Sequence, residues 1–364
     1  MIEQHIPLPR VKGRGMAWQA PHRFRIEDRE AFDDGWDGLT LTAAGQADAG
    51  QPTTQVIWED ARSAITRNDS PDIGFALGLN PYRGCEHGCA YCYARPSHSY
   101  LNLSPGLDFE TKIIAKRNIA EVLRRELQRP SHVPDLLAIG TVTDAYQPVE
   151  RDLRLTRAVL EVLQTAQHPL AMVTKGSGVE RDLDLLAPMG QQGLAAVYVT
   201  ITTLDARLAR ILEPRAAAPH RRLRTIRALA EAGVPVGVSV SPQIPFINED
   251  MERVLDAAAQ AGATRAFYQV LRLPWELAPI FRQWLAQHYP QRAERVMARV
   301  QDLHGGRDYR ADFATRMKGQ GVWSELLRQR FDKTCHRLGL NRERVPLDSS
   351  RFRPAALDAQ QSLF

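Results

Sequence analysis

The chain has 364 residues, is 44% hydrophobic and 24% charged, and carries a formal net charge of +5. That is long enough for one large domain or two small ones. Four cysteines in this length exclude a disulfide-built scaffold, no apolar run approaches the ~18 residues of a membrane span, and the first residues lack the basic-then-apolar pattern of a secretory signal. The expectation is a cytoplasmic protein with no membrane partner.

Residues 1–70 are polar and Gly-containing, and "LTAAGQADAGQPTT" (41–54) reads as a flexible connection, so an irregular N-terminal arm is expected. From residue 71 strand-like and helical patterns alternate. "FALGL" (75–79) is a short apolar run, and "ETKIIAKRNIAEVLRRELQ" (110–128) has helical spacing. "DLLAIGTVT" (135–143), "LAMVTK" (170–175), "AAVYVTIT" (195–202), "VPVGVSVS" (234–241) and "TRAFYQVLRL" (264–273) read as further strands. Helical stretches follow each, among them 151–166, 220–233 and 251–262. Near-continuously apolar strands alternating with helices predict parallel pairing with both faces buried. Six such units are too few for a closed eight-unit barrel. The fold expected is α/β, a partial (β/α)6 TIM-like barrel over 71–288, with a C-terminal helical segment and flexible tail over 289–364. A flat doubly wound sheet is the alternative, but no Gly-rich dinucleotide turn follows the first strand, and "VTKGSGVE" is a poor phosphate-loop match.

Three of the four cysteines, Cys85, Cys89 and Cys92, lie in "NPYRGCEHGCAYCYARPSHSY", spaced C-x3-C-x2-C just after the first expected strand. Structural zinc usually takes four ligands, which His87 or His98 would complete. An iron–sulfur cluster on three thiolates instead leaves one iron open to a small molecule. Cys335, far away in the C-terminal segment, reads as a buried helical cysteine. Ligands of parallel α/β folds bind at the C-terminal ends of the strands. Thr143 and Asp144, Thr174 and Lys175, Thr200 and Thr202, and Ser239 and Ser241 occupy such ends. Lysine is rare in this chain, and Lys175 follows "LAMV" directly, so it is a candidate partner for a carboxylate or phosphate. Arg83, Glu86 and His87 are candidates to tune a cluster. "HRRLRTIR" reads as a solvated helix, and the excess of arginine permits a nucleic-acid partner without requiring one.

The cysteine motif, with an aromatic before its last cysteine, resembles the signature of the radical S-adenosylmethionine (SAM) superfamily. "TRNDSPDIGFALGLNPYRGCEHGCAYCYARP", "SPGLDFETKI", "TDAYQPVE", "LEP" and the stretch "GVPVGVSVSPQIPFINED" resemble the spore photoproduct lyase-like group, over roughly residues 12–340. The resemblance implies a 4Fe–4S cluster on Cys85, Cys89 and Cys92. It implies SAM on the fourth iron and its reductive cleavage to a 5′-deoxyadenosyl radical. It also implies a reducing partner such as flavodoxin or ferredoxin, and nucleic acid as the leading substrate class. Tyr91 and Tyr93 match tyrosines implicated in radical relay in the lyase, and Lys175 matches a lysine there. Thr143, Asp144, Thr200, Thr202 and Ser239 are the further candidate SAM contacts. Glu213-Pro214 with Arg222 resembles a group motif, either a clamp or a structural ion pair. The lyase's hydrogen-donor cysteine has no counterpart in "LLAIGTVTDAYQPV". A radical enzyme acting on protein or a small molecule, and a non-catalytic zinc- or cluster-containing nucleic-acid-binding protein, remain alternatives. Finally, Gln360–Phe364, "QQSLF", resembles the short peptide by which repair proteins bind the DNA sliding clamp.

Overall fold

A computed structural model describes residues 13–16, 18–24, 52–343 and 346–358. The clamp-like Gln360–Phe364 and most of the 41–54 connection lie outside the described residues.

Among the described residues, ten strands form two sheets. In chain order they are β1 (Gln55–Glu59), β2 (Thr66–Arg67), β3 (Leu77–Leu79), β4 (Tyr82–Arg83), β5 (Lys112–Lys116), β6 (Leu137–Ile139), β7 (Leu170–Thr174), β8 (Ala195–Thr200), β9 (Val236–Ser239) and β10 (Arg265–Phe267). The main sheet runs β10-β9-β8-β7-β6-β3-β2. β3, β6, β7, β8, β9 and β10 pair in parallel throughout, and β2 adds antiparallel to β3. These six parallel strands are the six expected, each within its expected segment. β2 and β10 are the ends of the sheet and do not pair with each other among the described residues, so the barrel is partial and open.

The strands are short because only their apolar middles pair. Leu77, Leu79, Leu137, Ile139, Leu170, Met172, Val197, Val199, Val236 and Val238 are buried at 2% exposure or less, in one continuous core with the helices. Helices Leu155–Thr165, Pro219–Glu231 and Met251–Gln260 bury their apolar faces against it. The polar residues just past each strand end gather at one rim, where the chain turns back into a helix.

Two expectations are corrected. The segment 110–128 is not one helix. Asp108–Thr111 is a single turn, Lys112–Lys116 is β5, and the helix is Ile119–Leu127. β5 is the centre of a three-stranded sheet, parallel to β1 and antiparallel to β4. Ile113, Ile114 and Ala115 are all buried there, and β-branched isoleucines suit a pleated surface. The first seventy residues are likewise not irregular throughout, since they contain β1 and β2.

At the other end, helices Ala293–Leu303 and Gly321–Leu338 extend the fold, and the second packs on Met251–Gln260. Residues 346–358 are docked, with the Asp348 amide donating to the Gly193 carbonyl, Arg353 to Ala166, and Leu357 buried. Cys335 sits buried in the core on the long C-terminal helix.

Candidate functional site

The cysteine loop leaves the sheet after β3 and is shaped by two left-handed glycines, Gly84 (φ +82°) and Gly88 (φ +66°). A Cβ on Gly84 would meet the His98 ring at 2.9 Å, and one on Gly88 would meet the Glu110 carboxylate at 2.7 Å, so neither position accepts a larger residue without movement. Backbone bonds tie the loop down, from Cys85 to the Phe109 carbonyl (2.9 Å) and from Ala90 to the Leu212 carbonyl (2.9 Å).

Beneath the loop lies a buried ion pair. The Arg95 guanidinium donates to the Cys89 carbonyl at 2.9 Å, to the Pro105 and Gly106 carbonyls, and to Glu110 at 2.5 Å. Both side chains are fully buried. Glu110 also accepts from the Gly15 amide at 2.8 Å. Residue 15 must be glycine, because a Cβ would fall 1.9 Å from the Gly88 carbonyl oxygen. The N-terminal Gly13–Arg14–Gly15 stretch therefore clasps the loop from outside.

Cys85 and Cys89 are buried, Cys92 is half-buried, and all three are free of disulfides. Burial pushes the Cys85 thiol well above its ordinary pKa, with Asp144 and the other two thiols adding to the effect. Burial likewise pushes Cys89 up to about 12, against the opposing charge of Lys175. Without a cation the Cys85 and Cys89 thiols stay protonated, and binding one releases those protons. Among the described residues no three His, Cys, Asp or Glu side chains are disposed as a single-ion site. Three free thiols on one loop fit the anchor set of an iron–sulfur cluster.

Each histidine that could complete a zinc site turns one ring nitrogen to the protein. His98 Nε2 faces the Lys112 carbonyl at 3.1 Å, so it carries the proton and donates, and the ring packs edge-on against Phe109. His87 Nδ1 stands 3.2 Å from Asp144 Oδ2. Glu86, 2% exposed, accepts from Thr54 and the Val149 amide, both at 2.6 Å, and pairs with Arg215 at 3.1 Å. It stitches the loop to the segment after β6. Arg83 is exposed and, among the described residues, bonds to Glu59.

The strand-end candidates divide into two groups. Thr143 donates to the Gly84 carbonyl at 2.5 Å, directly before Cys85. Asp144 accepts from the Tyr146 amide, the Thr174 hydroxyl and the Lys175 amide, at 2.9, 2.7 and 2.7 Å. Burial pushes its carboxyl upward, but His87 and these donors outweigh it and hold the group below the usual carboxylate range. Both side chains thus already have protein partners that tie β6 and β7 to the cysteine loop.

Lys175 differs. Among the described residues its ammonium forms no hydrogen bond, and it stands over the Tyr91 ring, 5.7 Å from the centroid. Burial favours the neutral amine, yet Cys89, Glu213 and Asp144 raise its pKa overall and keep it charged. A half-buried cation without a bonded anion, beside the thiols, is suited to receive a carboxylate.

Tyr91 is locked. Its hydroxyl donates to Glu213 Oε1 and lies 3.1 Å from the Thr202 hydroxyl, which also donates to Glu213 at 2.6 Å. Arg222 holds the other carboxylate oxygen at 2.5 Å and also donates to the Thr200 and Ala217 carbonyls. Glu213 and Arg222 are buried to within 3%. The sequence left open whether this pair clamps a ligand, and the geometry is that of a buried ion pair bracing Tyr91. Thr200 and Ser239 are buried and face each other in register on β8 and β9. Tyr93, by contrast, is 43% exposed, with its hydroxyl donating to the Thr141 carbonyl and Arg272 4.3 Å over its ring.

Sequence reasoning missed the Arg95–Glu110 brace and the Gly15 clasp. Gly13 and Gly15 flanking an arginine were the only local signal.

Residues 79–258 match the model of the Radical SAM superfamily. This stretch, just under half of the chain, is a radical SAM domain. Its fold is similar to that of spore photoproduct lyase complexed with dinucleoside spore photoproduct, with a TM-score of 0.51 at 16% identity, covering 78% of this chain and 80% of that one. A mutant of the lyase has also been solved with bound AdoMet and dinucleoside spore photoproduct, and matches at the same TM-score and coverage. Among sequences, the chain is 38% identical over 226 residues to the uncharacterized protein Rv2578c of Mycobacterium tuberculosis, spanning 61% of this chain and 66% of that protein. It is 27% identical over 245 residues to the uncharacterized protein MJ0683 of Methanocaldococcus jannaschii, 66% of this chain and 86% of that one. The matched region is thus just under two thirds of the mycobacterial relative. No described helix is long and apolar enough to cross a membrane.

Proposed function

We propose that this protein is an enzyme that holds a 4Fe–4S cluster through Cys85, Cys89 and Cys92, binds SAM beside it, and acts on nucleic acid. One observation carries the reading, namely a charged Lys175 ammonium without a bonded anion next to Cys89 and Tyr91 at the open rim of a partial barrel. The bound cluster supplies the single electron, received from a small reducing protein such as flavodoxin or ferredoxin, that cleaves SAM to methionine and a 5′-deoxyadenosyl radical.

The protein's own residues bind, orient and exclude water. Lys175 pairs with the SAM carboxylate as a point charge. Thr143, Asp144 and Glu86 fix the path of the cysteine loop, and Arg95 with Glu110 sets its height over the sheet. The buried Glu213–Arg222 pair keeps the Tyr91 ring packed beside Lys175 and gives its phenol a proton acceptor. Tyr93, on the solvent side of Cys92, marks the edge from which a large substrate approaches. Support for nucleic acid as substrate class comes from the fold shared with a lyase solved with a dinucleoside, and from the arginine-rich composition.

Anaerobic incubation with irradiated DNA, tRNA and cell extract, tracking deuterium transfer from labelled substrate into 5′-deoxyadenosine, tests the substrate class. Transfer from DNA or RNA supports it, and transfer only from protein or small-molecule fractions overturns it.

A further inference from the structure

The exposed aromatic side chains are unevenly distributed. Among the described residues six aromatics are prominently exposed, namely Phe24, Trp58, Tyr93, Tyr100, Trp275 and Phe313. Four of these lie against two arginines. Arg23 lies over three rings at once, 4.7 Å from the Phe24 centroid, 5.1 Å from Tyr100 and 4.4 Å from Trp275. Phe24 and Tyr100 are themselves 5.0 Å apart. Arg272, three residues before Trp275, covers Tyr93, which follows Cys92 directly.

Trp275 is 62% exposed and Tyr100 66%, so each ring has a face toward water although burial would have been favourable. Trp275 is also held at φ +46°, a backbone region that bulky residues rarely adopt. Its neighbour Glu276 fixes the arrangement by accepting both the Arg23 amide (3.1 Å) and its guanidinium (2.6 Å). A hydrophobic core does not explain this construction, since the rings point outward.

We infer that the strip formed by Phe24, Arg23, Tyr100, Trp275, Arg272 and Tyr93 is a binding surface for a single-stranded nucleic-acid segment, which it leads to the cysteine loop. Flat rings interleaved with guanidinium groups take unpaired bases by stacking, with little dependence on base identity. Arg272 and the chain's net charge of +5 complement phosphates, while Arg23, paired with Glu276, holds the rings. A duplex hides its base faces, so the surface selects single strands or an extruded base. The inference rests on the nucleic-acid reading above but assigns it a surface outside the barrel rim.

The test uses the full chain with its cluster reconstituted anaerobically and a 5′-fluorescein oligothymidylate of about a dozen nucleotides, within the usual site sizes. Anisotropy should give saturable binding, weakened about ten-fold or more by Trp275→Ala or Tyr100→Ala and largely kept in Trp275→Phe, because stacking needs the ring. A duplex of the same length should bind more weakly, and Trp275→Ala should still cleave SAM. Equal binding by parent and Trp275→Ala, or preference for duplex, overturns the proposal. Parent that cleaves SAM but binds no oligonucleotide sinks this surface and leaves the radical chemistry standing. Parent that does neither sinks both.

Discussion

The Tyr91 hydroxyl donates to Glu213, a residue 122 positions later in the chain, and the bond crosses the interior behind the cysteine loop. Arg222 pins that carboxylate from the far side at 2.5 Å. The tyrosine between the second and third cysteines is thus held by a buried charge pair.

Removing one member of that pair leaves an uncompensated buried charge. Glu213→Ala is expected to cost about 3–5 kcal/mol of stability, seen as a large fall in the urea midpoint. Tyr91→Phe removes one hydrogen bond and is expected to cost about 1–2 kcal/mol while retaining the cluster. Equal, small effects in both variants would show that the pair does not brace the site.

Each of Cys85→Ala, Cys89→Ala and Cys92→Ala should abolish the visible absorbance of the reconstituted cluster, because thiolates are its protein anchors. Cys335→Ala should leave the spectrum unchanged, since Cys335 is buried in the core on the C-terminal helix. Loss of colour in the Cys335 variant alone would contradict the three-cysteine assignment.

Much of this was readable from residues alone. The six parallel strands were legible because runs such as "AAVYVTIT" are apolar on both faces, and the thiol loop because its spacing is local. β5 was not legible. "KIIAK" sits between stretches with helical spacing, and its partner β1 lies more than fifty residues away. Thr143 and Asp144 were expected to end the second strand, but β6 stops at Ile139 and they lie in the loop beyond it; nor was it legible that their hydrogen bonds turn inward, to Gly84, Tyr146, Thr174 and Lys175. Arg95–Glu110 and Tyr91–Glu213 were invisible for the same reason, since only the fold brings the partners together.

Lys175→Met should raise the KM for SAM about ten-fold or more, the scale of a lost charged hydrogen bond, while the cluster spectrum persists. An unchanged KM would remove Lys175 from the SAM site.

Two buried histidines predict acid sensitivity. Burial lowers the pKa of His98 to about 4, and burial with the neighbouring His132 does the same for His168. The unfolded chain, with histidines near 6.5, binds more protons than the native state between pH 6.5 and 4. Stability is therefore highest above pH 6.5 and falls as pH drops through that window, by up to about 3 kcal/mol per histidine. Urea titrations at several pH values read this slope. His98→Asn should flatten it by roughly half, and an unchanged slope would show that His98 is not the source.

The most direct measurement is product formation by the anaerobically reconstituted, reduced protein given SAM. The account predicts brown protein containing about four irons per chain and release of 5′-deoxyadenosine with methionine, abolished in Cys89→Ala. Colourless protein carrying stoichiometric zinc and yielding no 5′-deoxyadenosine would contradict it.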